Sequence, residues 1–451
     1  MKETGGSLDQ RFAEAMGQLL GPDFPADIAL AVSGGGDSMA MLTLAHNWAH
    51  AWGVRLWVVT VDHGLRAASA EEAALVAAEC AALGWPHATL RWHWDGQGNL
   101  MDAARRARLS LIGHWRRGLA HVLFAHTRDD VAETFLMRLA RGSGVEGLST
   151  MAASVEMPVS DGAAPPARDV CWTAPPPEGS GPARLIRPCL EMGRAELRHY
   201  LRTLKGRWVE DPSNADDRFD RARMRRLLRG LEDEGLGVDR LAGTAARMAR
   251  ARVALGARAA SVWQEIGREG RAGAAPTGDL LFERDGFERV ERDTQLRLLA
   301  AALQWVSGAV YRPRAAPLEA LLDRVLGGGG GTLSGCEIRM ERSACHVFRE
   351  YSAVQGMVVP QGADVLWDGR WRLSAAGTGG EIRALGPGGW QQVAERPTGA
   401  PPFAVARSLP ALWQGETMVA CDALGVGPGG TTTLWPMGRE MRHFGRFLDS
   451  R

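Results

Sequence analysis

The chain is poor in lysine, has no paired cysteines and contains no long apolar run. Only Lys2 and Lys205 are lysines among its 451 residues, which leaves few candidates for a lysine base or a Schiff base. Its six cysteines are scattered without a C-x-x-C pair, which argues against a zinc ribbon, an iron–sulfur site and a dithiol relay. Because no segment reads as a signal peptide or a membrane span, we expect a cytoplasmic protein with no membrane partner.

What the chain does contain is ordinary in amount but uneven in distribution. Hydrophobic residues make up 45% and charged residues 23%, with a net charge of +1, as in a typical soluble globular protein. The length predicts about three domains, which we place at residues 1–215, 216–330 and 331–451. From Arg184 to Gly230, 13 arginine and lysine residues stand against seven acidic ones. A basic segment of this kind suits a phosphate backbone.

The most informative segment is a glycine loop between an apolar strand (28–32) and a predicted helix (39–52). Successive glycines let backbone N–H groups approach an anion, and flanking serines add hydroxyl donors. A carboxylate at Asp37 would repel phosphate unless a divalent cation lay between them, which indicates a metal–nucleotide complex. The loop is neither a Walker A sequence nor a dinucleotide fingerprint, and the alternative is an ordinary glycine turn. Its residues are Ser33, Gly34, Gly35, Gly36, Asp37 and Ser38.

Strands and helices alternate through this part of the chain. Further apolar strands are predicted at 55–61, 87–94 and 121–125, with helices at 70–83, 101–117 and 131–141. This order predicts a parallel sheet, whose ligands bind beyond the carboxyl ends of the strands. Polar groups follow three of those ends, so we expect them to meet in one crevice. These groups are the glycine loop, Asp62 with His63, and His126 with Asp129 and Asp130.

Each of these polar residues also has a purely structural interpretation. Asp129 is better explained as a helix cap, whereas the position of Asp130 favours binding a cation or accepting a proton. For His63 and His126, a packed histidine and a functional one are equally good explanations.

Two basic segments have the same ambiguity. Arg105 and Arg108 lie one turn apart on a helix, where they either bind phosphate oxygens or form a solvated basic face. Residues 221–226 form either a plain helix start or a basic helix against RNA.

The remaining segments carry less information. The Pro- and Gly-rich stretch from 151 to 181 is predicted to be a surface excursion without chemistry. Residues 218–267, 293–306 and 318–326 are predicted to be largely helical, and the glycine run 327–331 to be a linker or tight turn. Short alternating stretches beyond it indicate β-structure.

Taken together, these motifs resemble the bacterial tRNA(Ile)-lysidine synthase family of PP-loop ATP pyrophosphatases. They follow the family's order between residues 31 and 226, and segments 311–314 and 409–413 are weaker matches to its carboxyl-terminal parts. The motifs that carry the resemblance are the glycine loop, 62–66, His126-x-x-Asp129-Asp130-x-x-Glu133-Thr134, 141–144, Arg187-Pro188 and Asp211-x-Ser213-Asn214.

The resemblance implies an α/β fold in which a parallel-sheet PP-loop domain precedes a helical tRNA-binding domain and a smaller α+β or β-rich tRNA-binding domain. It implies that ATP adenylates the C2 oxygen of the wobble cytidine in an isoleucine tRNA with a CAU anticodon. The ε-amine of L-lysine then displaces AMP to give lysidine, which changes codon recognition from AUG to AUA. The protein would be a carbon–nitrogen ligase that uses ATP and Mg²⁺, and monomer and homodimer both stay open.

The resemblance also assigns roles to residues. Arg105, Asp37 and Asp130 are the expected catalytic residues, and the two aspartates are also the expected Mg²⁺ ligands. Which carboxylate takes the lysine proton stays open. ATP binding falls to Ser33, Gly34, Gly35, Gly36, Asp37, Ser38, Asp62, His63 and His126, and tRNA binding to Arg108, Arg221, Arg223 and Arg225.

The chain departs from the family at three positions. Thr127 stands where a second histidine is common, so that histidine is not essential if the function holds; Leu109 replaces an aromatic residue and Ala222 an asparagine. Two other functions compete. A tRNA sulfur transferase of the same superfamily would need cysteine pairs, and a tRNA-binding protein without turnover would not need an intact loop and acidic pair.

Overall fold

The computed structural model describes residues 6–64, 69–94, 96–149, 151–157, 170–210, 220–309, 311–362, 366–373, 379–436 and 443–449. Packing divides the chain into two compact units, Met1–Arg252 and Val253–Arg451. The finer division at residues 215 and 330 stays a prediction. No helix in the described part of the chain is both long and apolar enough to cross a bilayer.

The first unit is built on a seven-stranded sheet. Its strands are β1 (Asp27–Ala31), β2 (Arg55–Asp62), β3 (His87–Arg91), β4 (His121–Phe124), β5 (Ser154–Glu156), β6 (Val170–Trp172) and β7 (Arg184–Ile186). Their spatial order is β5-β7-β4-β1-β2-β3-β6. The five inner strands are parallel, and β5 and β6 pair antiparallel at the two edges. The predicted parallel sheet is confirmed.

Helices cover the faces of this sheet. They are α1 (Leu8–Leu20), α2 (Gly36–Trp52), α3 (Ser69–Leu83), α4 (Leu100–Trp115), α5 (Arg128–Leu139), α6 (Val145–Leu148), α7 (Arg194–Thr203), α8 (Asp220–Asp233) and the first part of α9 (Val238–Ile266). The central strand β1 is buried on both faces, as a parallel sheet between helices requires. Its Ile28 and Leu30 pack with Met39 and Leu42 of α2. The apolar runs that predict the strands are therefore the core.

One prediction for this unit was wrong. The stretch from 151 to 181 is more than a surface excursion, because it contributes both edge strands, β5 against β7 and β6 against β3. Each of these strands has only three residues. A strand that short shows no readable alternation between proline and glycine clusters, which explains the error.

The second unit combines helices with three antiparallel sheets. Its helices are the rest of α9, then α10 (Arg284–Arg289), α11 (Arg292–Ser307), α12 (Ala315–Leu326), α13 (Gly386–Gln392), α14 (Phe403–Ala406) and α15 (Phe444–Asp449). A five-stranded sheet, ordered β10-β11-β12-β9-β8, packs its apolar face on α11. Its strands are β8 (Gly267–Ala272), β9 (Ala275–Glu283), β10 (Gly330–Leu333), β11 (Cys336–Met340) and β12 (Ala344–Arg349).

Two smaller sheets follow, ordered β13-β16-β17-β18 and β14-β15-β19. Their strands are β13 (Val359–Pro360), β14 (Leu366–Trp367), β15 (Trp371–Leu373), β16 (Glu381–Ala384), β17 (Pro410–Gln414), β18 (Thr417–Ala420) and β19 (Thr432–Leu434). The predicted β-structure after residue 331 is confirmed. Two details differ from prediction: the glycine run 327–331 ends inside β10, and the mainly helical region 216–330 also supplies β8 and β9.

Candidate active site

The glycine loop joins the end of β1 to the start of α2. Gly34 has φ +85°, and a Cβ there would lie 3.3 Å from the Glu72 carbonyl oxygen, so the position requires glycine. The Ser38 hydroxyl accepts a hydrogen bond from Ser33 N at 3.1 Å and donates one to Gly35 O at 2.9 Å. Because α2 begins at Gly36, its free N–H groups and positive dipole end face the loop. The loop is therefore preformed for an anion.

A single guanidinium ties the carboxylates of two strand ends together. Arg194, the first residue of α7, donates from Nε to Asp37 Oδ2 at 3.1 Å and from Nη2 to Asp130 Oδ1 at 3.4 Å. Its Nη1 donates to Glu133 Oε1 at 2.8 Å, and Arg225 Nε reaches the same oxygen at 2.7 Å. The predicted meeting of Asp37 and Asp130 is confirmed by their shared contact. Glu133 is fully buried, so the two guanidiniums offset the cost of burying its carboxylate.

The two aspartates sit in different electrostatic environments. Burial raises the pKa of Asp37, and the neighbouring charge of Asp130 adds to this, against the opposing effect of Arg194. Burial acts in the same upward direction on Asp130, but Arg194 and a backbone hydrogen bond from Thr127 outweigh it and hold its pKa below the ordinary value. Asp130 is therefore held ionised, while Asp37 takes up a proton more readily.

The start of α5 aims Asp130 into the site. Thr127 is the N-cap of α5, and its backbone N and its hydroxyl each donate to Asp130 Oδ2 at 2.9 Å. Asp129 does not cap its own helix: its Oδ2 accepts from Arg194 N at 2.8 Å and so caps α7. The two adjacent aspartates thus serve different helices, and both hold Arg194 in place.

The polar residues at the ends of β2 and β4 lie at the same edge of the sheet, where Asp62 is buried and His63 and His126 are half-buried. Asp62 Oδ1 accepts from Gly64 N at 2.9 Å and shapes the turn that follows β2. Burial, reinforced by nearby Arg108, lowers the pKa of His63 to about 4, and no donor or acceptor in the described part of the chain reaches its Nδ1. Burial likewise lowers the pKa of His126 to about 3, and its Nδ1 accepts from Arg187 Nε at 3.3 Å. Both histidines are neutral near pH 7.

The predicted RNA-binding arginines fall into two groups. Arg105, Arg221 and Arg223 are exposed, and Arg223 forms an ion pair with Asp220 one turn earlier on α8. Arg225 instead points to Glu133 beside the carboxylates. Arg108 lies over the Phe124 ring, with its guanidinium carbon 5.5 Å from the ring centre. Residues 65–66 and the Asp211-x-Ser213-Asn214 motif lie outside the described residues.

Sequence reasoning missed Arg194 and gave Glu133 no role of its own. Arg194 lies 157 positions from Asp37, so no local spacing connects them. One signal was readable: an arginine in the first turn of a helix opposes the helix dipole, which indicates a compensating carboxylate nearby.

The acidic side chains of the site meet some of the needs of a magnesium ion. No group of three or more histidine, cysteine or acidic side chains within the described residues is arranged to hold a metal. Magnesium usually takes only one or two protein carboxylates and completes its shell with phosphate oxygens and water. Asp37 Oδ1 is buried, and nothing in the described ranges donates to it. Asp37 and Asp130 therefore fit such an ion when phosphate is also present.

Comparisons with known proteins agree with this geometry. A family model described as a PP-loop domain matches residues 8–231. The chain is 40% identical to the tRNA(Ile)-lysidine synthase of Ruegeria pomeroyi, covering 91% of each chain. It is 39% identical to that of Bradyrhizobium diazoefficiens, over 67% of this chain and 80% of the relative. It is 31% identical to that of Wolbachia pipientis wMel, over 78% of each.

Proposed function

Because the chain belongs to the tRNA(Ile)-lysidine synthase family, we propose that it makes lysidine in an isoleucine tRNA with a CAU anticodon. It is a ligase with a PP-loop ATP pyrophosphatase domain. The reaction joins L-lysine to C2 of the wobble cytidine and releases AMP and diphosphate. The observation that carries the proposal is the contact of Arg194 with both Asp37 and Asp130, because it gathers two strand ends beside the glycine loop.

The first step transfers an adenylyl group. The cytidine C2 oxygen attacks the α-phosphorus of ATP, so that an O–P bond forms while the bond to diphosphate breaks. N–H groups of residues 33–38 and the N-terminus of α2 stabilise the charge on the departing diphosphate. The exposed guanidinium of Arg105 is the further candidate for that charge. Neutral His63 and His126 contribute hydrogen bonds rather than charge.

The second step forms the carbon–nitrogen bond. The lysine ε-amine attacks C2, the bond from C2 to the adenylate oxygen breaks, and the nitrogen loses a proton. Asp130 is held ionised beside Arg194, so it can hold the incoming ammonium or accept its proton. Thr127 and Arg194 fix the direction of that carboxylate. We thus propose that the lysine substrate binds with its ε-amine beside Asp130.

Asp37 and Asp130 would hold Mg²⁺ together with the phosphates of ATP. When bound, the ion neutralises phosphate charge beside the two carboxylates. We further propose that α8 and the regions 216–330 and 331–451 bind the tRNA, and that the reaction takes place in the cytoplasm. Its mass in solution distinguishes a monomer from a homodimer.

Sulfur transfer to tRNA is disfavoured by the five cysteines whose side chains the structure describes. Cys80, Cys189, Cys336, Cys345 and Cys421 are buried free thiols. Burial raises the pKa of each of them. A thiol that is both buried and hard to ionise is a poor sulfur carrier.

Nucleoside mass spectrometry tests the proposed function directly. Isoleucine tRNA with a CAU anticodon is incubated with the protein, ATP and lysine, then digested to nucleosides. We expect a new nucleoside heavier than cytidine by lysine minus water, formed only when ATP and lysine are both present. A sulfur-containing cytidine, or unchanged cytidine with a protein that binds ATP and tRNA, would overturn it.

A further inference from the structure

Five arginines on α4, α5, α8 and the segment after β7 lie near enough to act on one another's charge. Arg105 and Arg108 belong to α4, Arg138 to α5 and Arg221 to α8, and Arg187 directly follows β7. We call these five residues the arginine cluster. Arg187 is anchored to Ala152 O and to His126, and Arg138 Nη1 donates to Gly147 O at 2.7 Å. Main-chain carbonyls therefore position two of the guanidiniums without neutralising them.

Asp130 is the acidic group that acts on Arg108 and Arg221, and it is already shared with Arg194. Within the described ranges, Arg105, Arg108 and Arg221 form no hydrogen bond or ion pair with another residue. The Nε of Arg108 is buried with no acceptor in those ranges. A buried charged donor without a partner is costly, so its retention indicates that a ligand supplies the acceptor.

Mutual repulsion within the cluster supports the same conclusion. Burial, together with repulsion from Arg105 and Arg221, lowers the pKa of Arg108 to about 10, against an opposing effect of Asp130. Burial and Arg105 together lower the pKa of Arg187 to about 10, and the same two causes lead the decrease at Arg138. Arg105 thus acts on three other members at once. An anion bound among them would relieve this repulsion.

We propose that the arginine cluster binds a phosphate group separate from those held by the glycine loop, with Arg138 and Arg187 as members to which the sequence assigned no role. The inference rests on the proposed function and deepens it. A backbone phosphate of the tRNA next to the reacting cytidine and the departing diphosphate offer the same chemistry. Planar guanidiniums that converge from several elements suit such an oxyanion.

The sheet order favours the RNA phosphate. The glycine loop follows β1, whereas Arg187 follows β7, which lies two strands away across β4. Adjacent strands are about 4.8 Å apart, so the two positions are separated by about 10 Å along the edge of the sheet. That separation leaves room for a base between the nucleotide and Arg187, while Arg108 over Phe124 lies nearer to the nucleotide. Arg221 extends the cluster onto α8, the basic helix already proposed to meet RNA.

Binding measurements without turnover test the cluster independently of lysidine formation. Arg138→Gln and Arg187→Gln are compared with Arg106→Gln, an exposed arginine on another face of α4. Affinity is measured for fluorescently labelled isoleucine tRNA across a salt series and for inorganic diphosphate by calorimetry. We expect each cluster variant to bind tRNA about tenfold more weakly, and its salt slope to fall by about 0.7 to 1. Diphosphate affinity should change less than twofold.

The possible outcomes distinguish an RNA phosphate from the departing diphosphate, and both from a cluster that binds neither. Weaker diphosphate binding with an unchanged tRNA salt slope would assign the cluster to the leaving group, and wild-type values for both ligands would overturn the proposal. Arg138→Lys and Arg187→Lys should recover most of the salt slope, which a purely structural loss would not. Should a variant fail to fold, arginine modification of the wild-type protein decides: tRNA or diphosphate must protect Arg138 and Arg187 more than Arg106. Lack of lysidine formation with intact cluster binding would refute only the proposed function.

Discussion

At the scale of single residues, the chemistry of the site depends on how Arg194 distributes its charge. Three carboxylates share its guanidinium, and two of them keep a buried oxygen to which nothing in the described ranges donates, Asp37 Oδ1 and Glu133 Oε2. Such an arrangement is stable only while a cation stays among the acids. The arginine therefore controls the ionisation of the site as well as its geometry.

Arg194→Met should move the pH dependence of adenylation upward. Arg194 lowers the pKa of Asp130, so removing it raises that pKa, and the ionised carboxylate is lost at a higher pH than in the wild type. The pH profile of diphosphate release in single-turnover experiments measures this. Arg202→Met, an exposed arginine near the end of the same helix, is the control and should keep the wild-type profile. An unshifted profile in Arg194→Met would contradict the electrostatic role.

Asp37→Ala should abolish lysine incorporation and leave the fold intact. Burial already raises the pKa of Asp37, so losing its charge costs little stability, and Arg194 keeps Asp130 and Glu133 as partners. Incorporation of radiolabelled lysine into tRNA measures the activity, and circular dichroism checks the fold. If incorporation by this variant equals that of the wild type, Asp37 is not at the reaction centre.

The sequence predicts some of these residues and not others. Asp37 and Asp130 each lie in the first turn of the helix that follows an apolar strand, so the order of strand and helix brings them to one edge of the sheet. Arg194 belongs to a helix whose position depends on packing across the unit. Glu133 of α5 joins the site because it accepts a hydrogen bond from the same guanidinium. Contacts of that kind depend on tertiary structure, which strand and helix periodicity do not encode.

At the scale of elements, α5 is both a support and part of the site. Its N-cap, Thr127, is fully buried and binds Asp130 with both its hydroxyl and its backbone N. A threonine therefore performs a local structural task at the position where the resemblance led us to expect a second histidine. The backbone contact would remain if the side chain were removed.

Thr127→Ala should destabilise α5 by about 1–2 kcal/mol while leaving measurable activity. The hydroxyl that caps the helix is lost, but Thr127 N still directs Asp130. Hydrogen exchange of the α5 amides under native conditions measures the loss of stability. Thr127→Ser keeps the hydroxyl and should retain most of the protection. Complete loss of activity with unchanged exchange would contradict a capping role.

Arg223→Ala should raise the concentration of tRNA needed for half-maximal rate, with little change for ATP. Arg223 is exposed on α8, and its pairing with Asp220 is a surface ion pair of small energy, so RNA phosphate can compete for it. Steady-state kinetics, with tRNA and ATP varied in turn, measure the half-saturating concentration of each substrate. Arg55→Ala, at the amino edge of the sheet where β2 begins, should change neither. An effect confined to ATP would contradict the RNA contact.

Element boundaries were predictable where hydrophobic periodicity is long. The strands and helices from β1 to α5 and the helices α8, α9, α11 and α12 all fall close to their predicted ranges. The short edge strands β5 and β6 and the pair β8–β9 were missed. Their pairing partners stabilise them more than their own sequences do, since β-propensity depends strongly on context.

At the scale of the whole molecule, the residues proposed for ATP all lie in the first unit, whereas the second unit contains its own buried charge. His346 on β12 sits between two acids: Nε2 is 2.6 Å from Asp279 Oδ2, and Nδ1 is 3.3 Å from Glu341 Oε1. Since both ring nitrogens face carboxylates, the imidazolium form satisfies both contacts. Burial opposes this charge, but Asp279 and Glu341 outweigh it and raise the pKa of His346.

The second unit should therefore lose stability as the pH rises, independently of ATP binding. A raised folded-state pKa gives stabilisation that is complete below the ordinary value of 6.5 and is lost as the pH climbs through the raised one. Protection factors of the β12 amides should fall from pH 6 to pH 9 in the wild type and change far less in His346→Gln. ATP affinity at each pH should match between the two proteins, because the substitution lies outside the nucleotide-binding unit. Equal pH dependence of β12 protection in both proteins would show that the imidazolium does not stabilise this unit.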